Sequence, residues 1–320
     1  MRLPTFQDVL LARRTIAPHL RPTPLYFYWG LSELVGAEVW VKHENHQPVG
    51  AFKVRGGVNL VAHMDDEERA RGVISASTGN HGQSIAYAAR LFGVRAIIGM
   101  PQGSNPGKIA AIRNLGAEIH FHGRDFDEAR LYVEELAERE GLRYVSSGDE
   151  PRLIAGVGTY ALEIIEALPD VAAIVVPVGG GSGAAGVCTV VKSVNPDIRV
   201  IGVQAEKAPS AYLSWKEERR VEAKMETFAE GLATRAPFDL PQAVLRRHLD
   251  DFVLVGEAEL REAVLLMLTH THNLAEGAGA AALAGALKLK EGLAGAKVAL
   301  VQSGGNLSLA RLREILGEGA

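Results

Sequence analysis

Lys53 stands where a loop gives way to a helix. The stretch Glu44-Asn45-His46-Gln47-Pro48-Val49-Gly50-Ala51-Phe52-Lys53-Val54-Arg55-Gly56-Gly57 follows a short apolar strand, Val39-Trp40-Val41. Pro48 and Gly50 mark a loop, and Val54, Val58 and Val61 then recur at helical spacing. An amine at a helix start feels the positive end of the dipole, and burial against Phe52 adds to the effect. Both lower its pKa from a free value of about 10.4. A neutral lysine amine attacks carbonyl groups and forms imines. Alone, the residue reads as a solvated lysine in a first helical turn, so what distinguishes it must lie elsewhere in the chain.

Three other loops carry chemistry-bearing residues. Gly179-Gly180-Gly181-Ser182-Gly183 follows the apolar strand Ala173-Ile174-Val175-Val176-Pro177-Val178 and opens a helix. Four glycines in five residues let successive N–H groups converge on an anion such as a phosphate, aided by the helix dipole. A tight turn is the plain alternative. A dinucleotide loop is a rival, but the glycine spacing is irregular and Gln204 ends the next strand where an acid is usually sought. Ser77-Thr78-Gly79-Asn80-His81 also joins a strand to a helix. Its hydroxyls and N–H groups suit a carboxylate and Asn80 suits a phenolate-like oxygen, although Ser, Thr and Asn equally cap helices. Ser303 ends the last strand, where its hydroxyl suits either a heterocycle nitrogen or a cap.

The elements that position these loops alternate. Helices are expected from Thr5 to about residue 17, from 54 to about 70, over 83–92, 108–115, 125–140 and 154–168, from the glycine loop on to 194, and over 257–271 and 278–290. Strands are expected over 39–41, 73–76, 96–99, 118–121, 143–145, 173–178, 198–203, 251–255 and 298–301. Arg21-Pro22-Thr23-Pro24-Leu25 reads as an extended connector, and residues 207–241 show no clear pattern. Alternating helices and near-continuously apolar strands predict an α/β protein with open parallel sheets covered on both faces. Ligands in such folds sit at the carboxyl ends of the strands, where the three loops fall. The pattern divides the chain into a large domain, 1–71 with 150–320, and a small mobile domain, 72–149.

With 320 residues and 47% hydrophobic content, the chain can bury a large core. A net charge of −4 gives no basic surplus for nucleic acid or an anionic membrane. A single cysteine, Cys188, excludes an internal disulfide framework and a cysteine-rich zinc site. The start of the chain lacks a signal-peptide layout, and the aliphatic region 278–289 is too short to cross a membrane. A cytoplasmic protein is expected.

In order, Phe52-Lys53-Val54-Arg55-Gly56, Ser77-Thr78-Gly79-Asn80-His81, residues 177–183 and Ser303-Gly304-Gly305-Asn306 resemble the serine/threonine dehydratase family of pyridoxal-phosphate enzymes, which includes the serine racemases. Thr23-Pro24-Leu25 and Glu276-Gly277-Ala278-Gly279 resemble it too, so the likeness spans nearly the whole chain. It implies the tryptophan-synthase-β-like, fold-type II architecture, pyridoxal 5'-phosphate as cofactor, and a homodimer or homotetramer. It also implies a small amino-acid substrate, L-threonine or L-serine, converted into 2-oxobutyrate or pyruvate plus ammonia. The long C-terminal domain of the isoleucine-regulated threonine deaminases is not seen, and the chain looks like the short catabolic type.

Residue by residue, the resemblance implies that Lys53 holds the cofactor as an imine and takes the α-proton, while Phe52 packs on the ring. Asn80 would bond the ring oxygen, and Ser303 would meet the pyridine nitrogen. Gly179, Gly180, Gly181 and Gly183 would cradle the phosphate, with Ser182 adding a donor. Gly231 and Glu276 would lie beside the cofactor. Ser77, Thr78, Gly79 and His81 would surround the substrate carboxylate, with Thr78 deciding between dehydration and racemisation. Its β-branched side chain has few χ1 options, so its hydroxyl is expected to turn into the loop as a cap.

The chain departs from the family at three places. Ser182 interrupts a run of glycines, and Ala229-Glu230-Gly231 replaces Ala-Asp-Gly. Gln204 and Ser210 stand where some members hold a divalent cation with acids, so no metal is expected there. Serine racemase and β-replacement, as in cysteine synthases, are the rival activities. A Rossmann-like nucleotide-binding module without chemistry is the rival from another class.

Overall fold

The computed structural model describes residues 2–104, 106–124 and 126–317. Among the described residues, ten strands make two sheets: β1 (Leu25–Phe27), β2 (Glu38–His43), β3 (Val73–Ala76), β4 (Ala96–Met100), β5 (Glu118–Phe121), β6 (Arg143–Tyr144), β7 (Ala173–Pro177), β8 (Arg199–Ala205), β9 (Asp251–Val255) and β10 (Lys297–Gln302). The larger sheet runs β1-β2-β10-β7-β8-β9 and the smaller runs β5-β4-β3-β6. Every pairing is parallel except β1 with β2.

Successive side chains of a strand point to opposite faces. In the larger sheet both faces of the central strand β7 are buried, so that strand is apolar throughout. Ile174 and Val176 of β7 pack with the helices Phe6–Ile16, Pro151–Ala167, Ser182–Val194 and Asp239–His248. Ala173 and Val175 face the other way, toward Trp29–Val35, Glu257–Thr271 and Gly277–Lys288. The smaller sheet repeats the arrangement. Ile74 and Ile97 pack on the helix Phe126–Glu140, while Val73 and Ile98 pack on Val54–Ala62 and Asn80–Phe92.

The helix that follows Lys53 therefore covers the small sheet while touching the large one's layer. Its glycines permit that approach. A Cβ on Gly57 would come within 2.4 Å of Ser84 Oγ, and one on Gly56 within 2.8 Å of the Leu153 carbonyl.

Several boundaries differ from expectation for identifiable reasons. The helix expected to reach residue 70 stops at Ala62. Asp65 starts a separate helix, Asp66–Arg71, in which it accepts from Glu68 N at 2.8 Å while Glu68 reaches back to Asp65 N. This reciprocal capping overrides the apolar spacing. The helix expected from residue 83 begins at Asn80. Leu25, expected in a connector, opens β1, and a helix at Trp29–Val35 follows it. Residues 207–241 contain the helix Ser210–Lys216, and Asp239 opens another. The helix expected from 125 runs Phe126–Glu140, with Asp125 outside the described residues. No described helix is long and apolar enough to cross a membrane.

Candidate active site

The Lys53 loop is fixed through its main chain. Phe52 N donates to the Ser303 carbonyl at 3.0 Å, Ala51 pairs with Gly304, and Ser84 Oγ donates to the Lys53 carbonyl at 2.6 Å. The side chain is left to project into the cleft between the sheets. Its Nζ lies 3.2 Å from Ser182 Oγ and 3.4 Å from the Ser147 carbonyl, with the Phe52 ring centroid at 5.5 Å. Burial pushes the amine down to about 8. No carboxylate pairs with it among the described residues, so more of it is neutral near neutral pH than for a free lysine.

The glycine loop faces that amine. Gly181 takes φ +88° and caps the helix Ser182–Val194, whose first N–H groups have no intrahelical acceptors. A Cβ on Gly179 would lie 2.0 Å from the Gly231 carbonyl, and one on Gly180 would lie 2.8 Å from the Phe238 ring. A Cβ on Gly183 would crowd Phe52 and the Tyr160 hydroxyl. The loop is thus a concave row of backbone donors that side chains would fill.

Ser303 lies beside Phe52. It is buried, yet its hydroxyl has no hydrogen-bond partner among the described residues. Asn80 opens its helix, donates to Glu276 Oε1 at 2.7 Å and accepts from Asn306 Nδ2 at 2.7 Å. Glu276 lies deep at the start of Gly277–Lys288, and burial raises its carboxyl above the usual range. Gly231 packs between Gly179 and Ala278.

The carboxylate loop differs from expectation in which hydroxyl caps it. Ser77 Oγ accepts from Gly79 N at 3.1 Å and Gly82 N at 2.9 Å, whereas the Thr78 hydroxyl is unpaired among the described residues. Ser77 sits where its oxygen meets the free N–H groups of the helix start, so Thr78 is not needed there. His81 is buried with Nε2 2.9 Å from Ser75 Oγ, and burial together with Lys53 pushes it down to about 3. Its ring is neutral. Gln204 Oε1 accepts from Tyr212 N, and Ser210 Oγ donates to the Thr234 carbonyl.

Lysine, glycine cradle, free serine hydroxyl and asparagine thus converge at the carboxyl ends of parallel strands. The chain matches the pyridoxal-phosphate dependent enzyme family over residues 16–304. It belongs to that family. An L-threonine ammonia-lyase of Thermotoga maritima is 43% identical over 317 residues, which are 98% of this chain and 79% of that protein. Threonine deaminase isoform 2 of Solanum lycopersicum, in its processed form, superposes with a TM-score of 0.93 at 34% identity, over 98% of this chain and 92% of the other. Serine racemase of Dictyostelium discoideum superposes with a TM-score of 0.90 at 31% identity, over 96% of this chain and 99% of the other.

The residues present fit the cofactor of this pyridoxal-phosphate family. The cradle admits no side chain, the amine opposite it is readily neutral, and Ser303 offers an unused hydroxyl. Sequence reasoning missed Asn306 as a partner of Asn80, the Phe238 and Tyr160 walls of the cradle, and Lys108, which pairs with Glu230. Only Asn306 carried a signal, since it ends the Ser303-Gly304-Gly305-Asn306 motif.

A second cluster lies under the Lys53 loop. Arg55 Nε and Nη2 donate to Glu44 at 2.7 and 2.8 Å, and Nη1 and Nη2 donate to Glu163 at 2.6 and 2.9 Å. Lys42 Nζ donates to Glu163 at 2.5 Å and to the Thr23 carbonyl at 2.7 Å, and Thr23 Oγ1 donates to Glu44 at 2.5 Å. Burial raises the Glu163 carboxyl, but Arg55 and Lys42 outweigh it and hold the group below its ordinary value. Two motifs from the sequence, the Thr23 connector and the Glu44-to-Arg55 stretch, meet here.

Proposed function

We propose that the protein converts L-threonine, and L-serine, to 2-oxobutyrate or pyruvate with release of ammonia. The observation that carries this reading is the buried Lys53 amine aimed at the glycine cradle, with no carboxylate among the described residues to pin its charge. The 43% identity to an L-threonine ammonia-lyase supports the choice of substrate. Pyridoxal phosphate, when bound, supplies the electron sink for the bonding pair released at the substrate Cα.

In this reading Lys53 binds the cofactor covalently and, once freed, takes the α-proton, which its lowered pKa favours near neutral pH. Gly179, Gly180, Gly181, Ser182 and Gly183 hold the phosphate. Phe52 packs on the ring, Asn80 meets its oxygen, and Gly231 and Glu276 back it. Ser303 offers the ring nitrogen a neutral hydroxyl rather than a carboxylate. Ser77, Thr78, Gly79 and His81 form the substrate-carboxylate loop, His81 through its main chain.

Serine racemisation is a minor activity in this reading, and the unpaired Thr78 hydroxyl is the observation that favours it. Removing the α-proton on one face and returning it on the other needs a second acid/base group, and Thr78 alone in the loop has a hydroxyl to spare. Pyruvate and D-serine followed together from L-serine in heavy water test both claims. Pyruvate should form much faster, and Thr78→Ala should abolish D-serine while keeping most dehydration. D-serine appearing as fast as pyruvate would replace dehydratase by racemase.

The proposal includes motion. Residues 72–149, which carry the small sheet and the carboxylate loop, close as a unit over the substrate and exclude water. Crystal structures with and without a substrate analogue should differ by a rigid rotation of this segment. Superposition throughout, within coordinate error, would count against closure. We extend the reading to a cytoplasmic homodimer or homotetramer, which sedimentation equilibrium would check.

A further inference from the structure

We propose that Lys108 is the cation that receives the substrate carboxylate, and that Glu230 occupies it until substrate arrives. This rests on residues 77–81 being the carboxylate loop, and it adds a charge which that loop lacks. Ser77, Thr78, Gly79 and Asn80 are uncharged, and the buried ring of His81 is neutral. A carboxylate leaving water for such a loop would be compensated by dipoles alone.

Lys108 supplies a formal positive charge at that place. It rises from the helix Pro106–Asn114, and its Nζ is 3.8 Å from where a Cβ on Gly79 would lie. The absence of a side chain at Gly79 leaves the approach open. Across the cleft, Lys108 makes an ion pair with Glu230 on the short 3-10 helix Glu230–Leu232. The two ends of the pair are unequally placed: the Lys108 side chain is 18% exposed and the Glu230 side chain 61% exposed. Glu230 can therefore return to water with little desolvation cost, whereas Lys108 stays partly enclosed and needs an anion. An exposed partner contributes little to such a pair and is readily displaced. Burial holds the Lys108 amine below its ordinary value, and the nearby Glu276 opposes part of that shift.

The test compares the holoenzyme with Lys108→Met, Lys108→Arg and Glu230→Gln. Steady-state kinetics with L-threonine are combined with inhibition by L-threonine amide, which lacks the carboxylate. Binding of unreactive L-alanine, followed through the cofactor absorbance, gives a readout independent of turnover. Lys108→Met should raise KM for L-threonine and Kd for L-alanine by about 10- to 100-fold, the scale of a lost charge-assisted contact, with kcat within a few-fold. It should leave the Ki of the amide unchanged, and Lys108→Arg should recover most of the affinity. Glu230→Gln should lower KM by about two- to fivefold, because it removes a competitor. The opposite signs are decisive. If Glu230→Gln raises KM as Lys108→Met does, or if the amide weakens in step, the pair is a strap between the sheets and the proposal fails. Ser77→Ala and Thr78→Ala, assayed alongside, separate the two assignments. An unchanged KM in both would overturn the loop itself, whereas raised values there with no effect of Lys108→Met would overturn only the role of Lys108.

Discussion

Lys53→Ala will give a folded protein with no covalent bond to pyridoxal phosphate and turnover slower by about 10³-fold or more. The fold should survive because the loop is held by main-chain contacts, from Ser84 Oγ to the Lys53 carbonyl and from Phe52 N to the Ser303 carbonyl. Among the described residues, the side chain itself hydrogen-bonds only to Ser182 and the Ser147 carbonyl. Truncation also relieves the burial of an amine, so stability should not fall on that account. Borohydride reduction followed by mass measurement checks the covalent bond, and a 2-oxobutyrate assay checks turnover. A variant that was still trapped by borohydride and kept full activity would remove Lys53 from its role.

The same amine predicts a pH dependence. Its value is lowered from 10.5 to about 8, so covalent capture of the cofactor by the apoprotein should accelerate as pH rises through about 8. The linked stability has a definite sign. Between about 8 and 10.5 the folded apoprotein binds fewer protons at this site than the unfolded chain, so this group makes stability rise with pH across that window. Below it, both states are protonated and the term is flat.

What could be read in the sequence follows the range of the forces involved. β5 and β9 begin and end where apolar patterning and turn residues place them, because both signals are local. Buried β7 is apolar on both faces and reads as a run. Lys53, the glycine loop and Ser303 were legible because each sits at a strand-to-helix junction, where backbone donors collect. The break after Ala62 was present as Asp65 and Glu68, but apolar periodicity masked it. The helices within residues 207–241 depend on contacts from outside, such as Ser210 Oγ to the Thr234 carbonyl and Gln242 Nε2 to the Ala211 carbonyl. The Asn80–Asn306 contact spans 226 positions, and no local pattern encodes it. Lys108 looked like any lysine on a solvated helix face until the fold set it against Glu230. Thr78 and Ser77 are adjacent hydroxyls, and only geometry decides which of them caps.

Arg55→Met should destabilise the protein by about 3–5 kcal/mol, the range for removing one member of a buried ion pair. The side chains of Arg55 and Glu44 are 1% and 0% exposed, so neither water nor a surface charge can replace the lost partner. Among the described residues, Glu163 keeps Lys42, but the Glu44 carboxylate keeps only the Thr23 hydroxyl. At about 2–4 °C per kcal/mol for a chain of this size, the melting temperature should fall by about 10 °C. The deficit should depend on pH with a sign opposite to ordinary acid destabilisation. In the parent protein Glu163 is held below its ordinary value, so its stabilising contribution is present above that value and is lost as pH falls through the lower, folded one. In the variant Glu163 loses the Arg55 charge that outweighed its burial, so its pKa rises and protonation relieves it. The gap between variant and parent should therefore widen as pH rises from about 4 to 7. A second substitution, Glu44→Gln, should return part of the loss, since it removes the charge left unpaired. Arg55→Lys should not, because an ammonium cannot serve Glu44 and Glu163 through one planar fork. Thermal unfolding of the parent and the three variants at pH 5 and pH 7 decides the matter. A gap that stays constant with pH would mean that Arg55 acts through packing rather than charge.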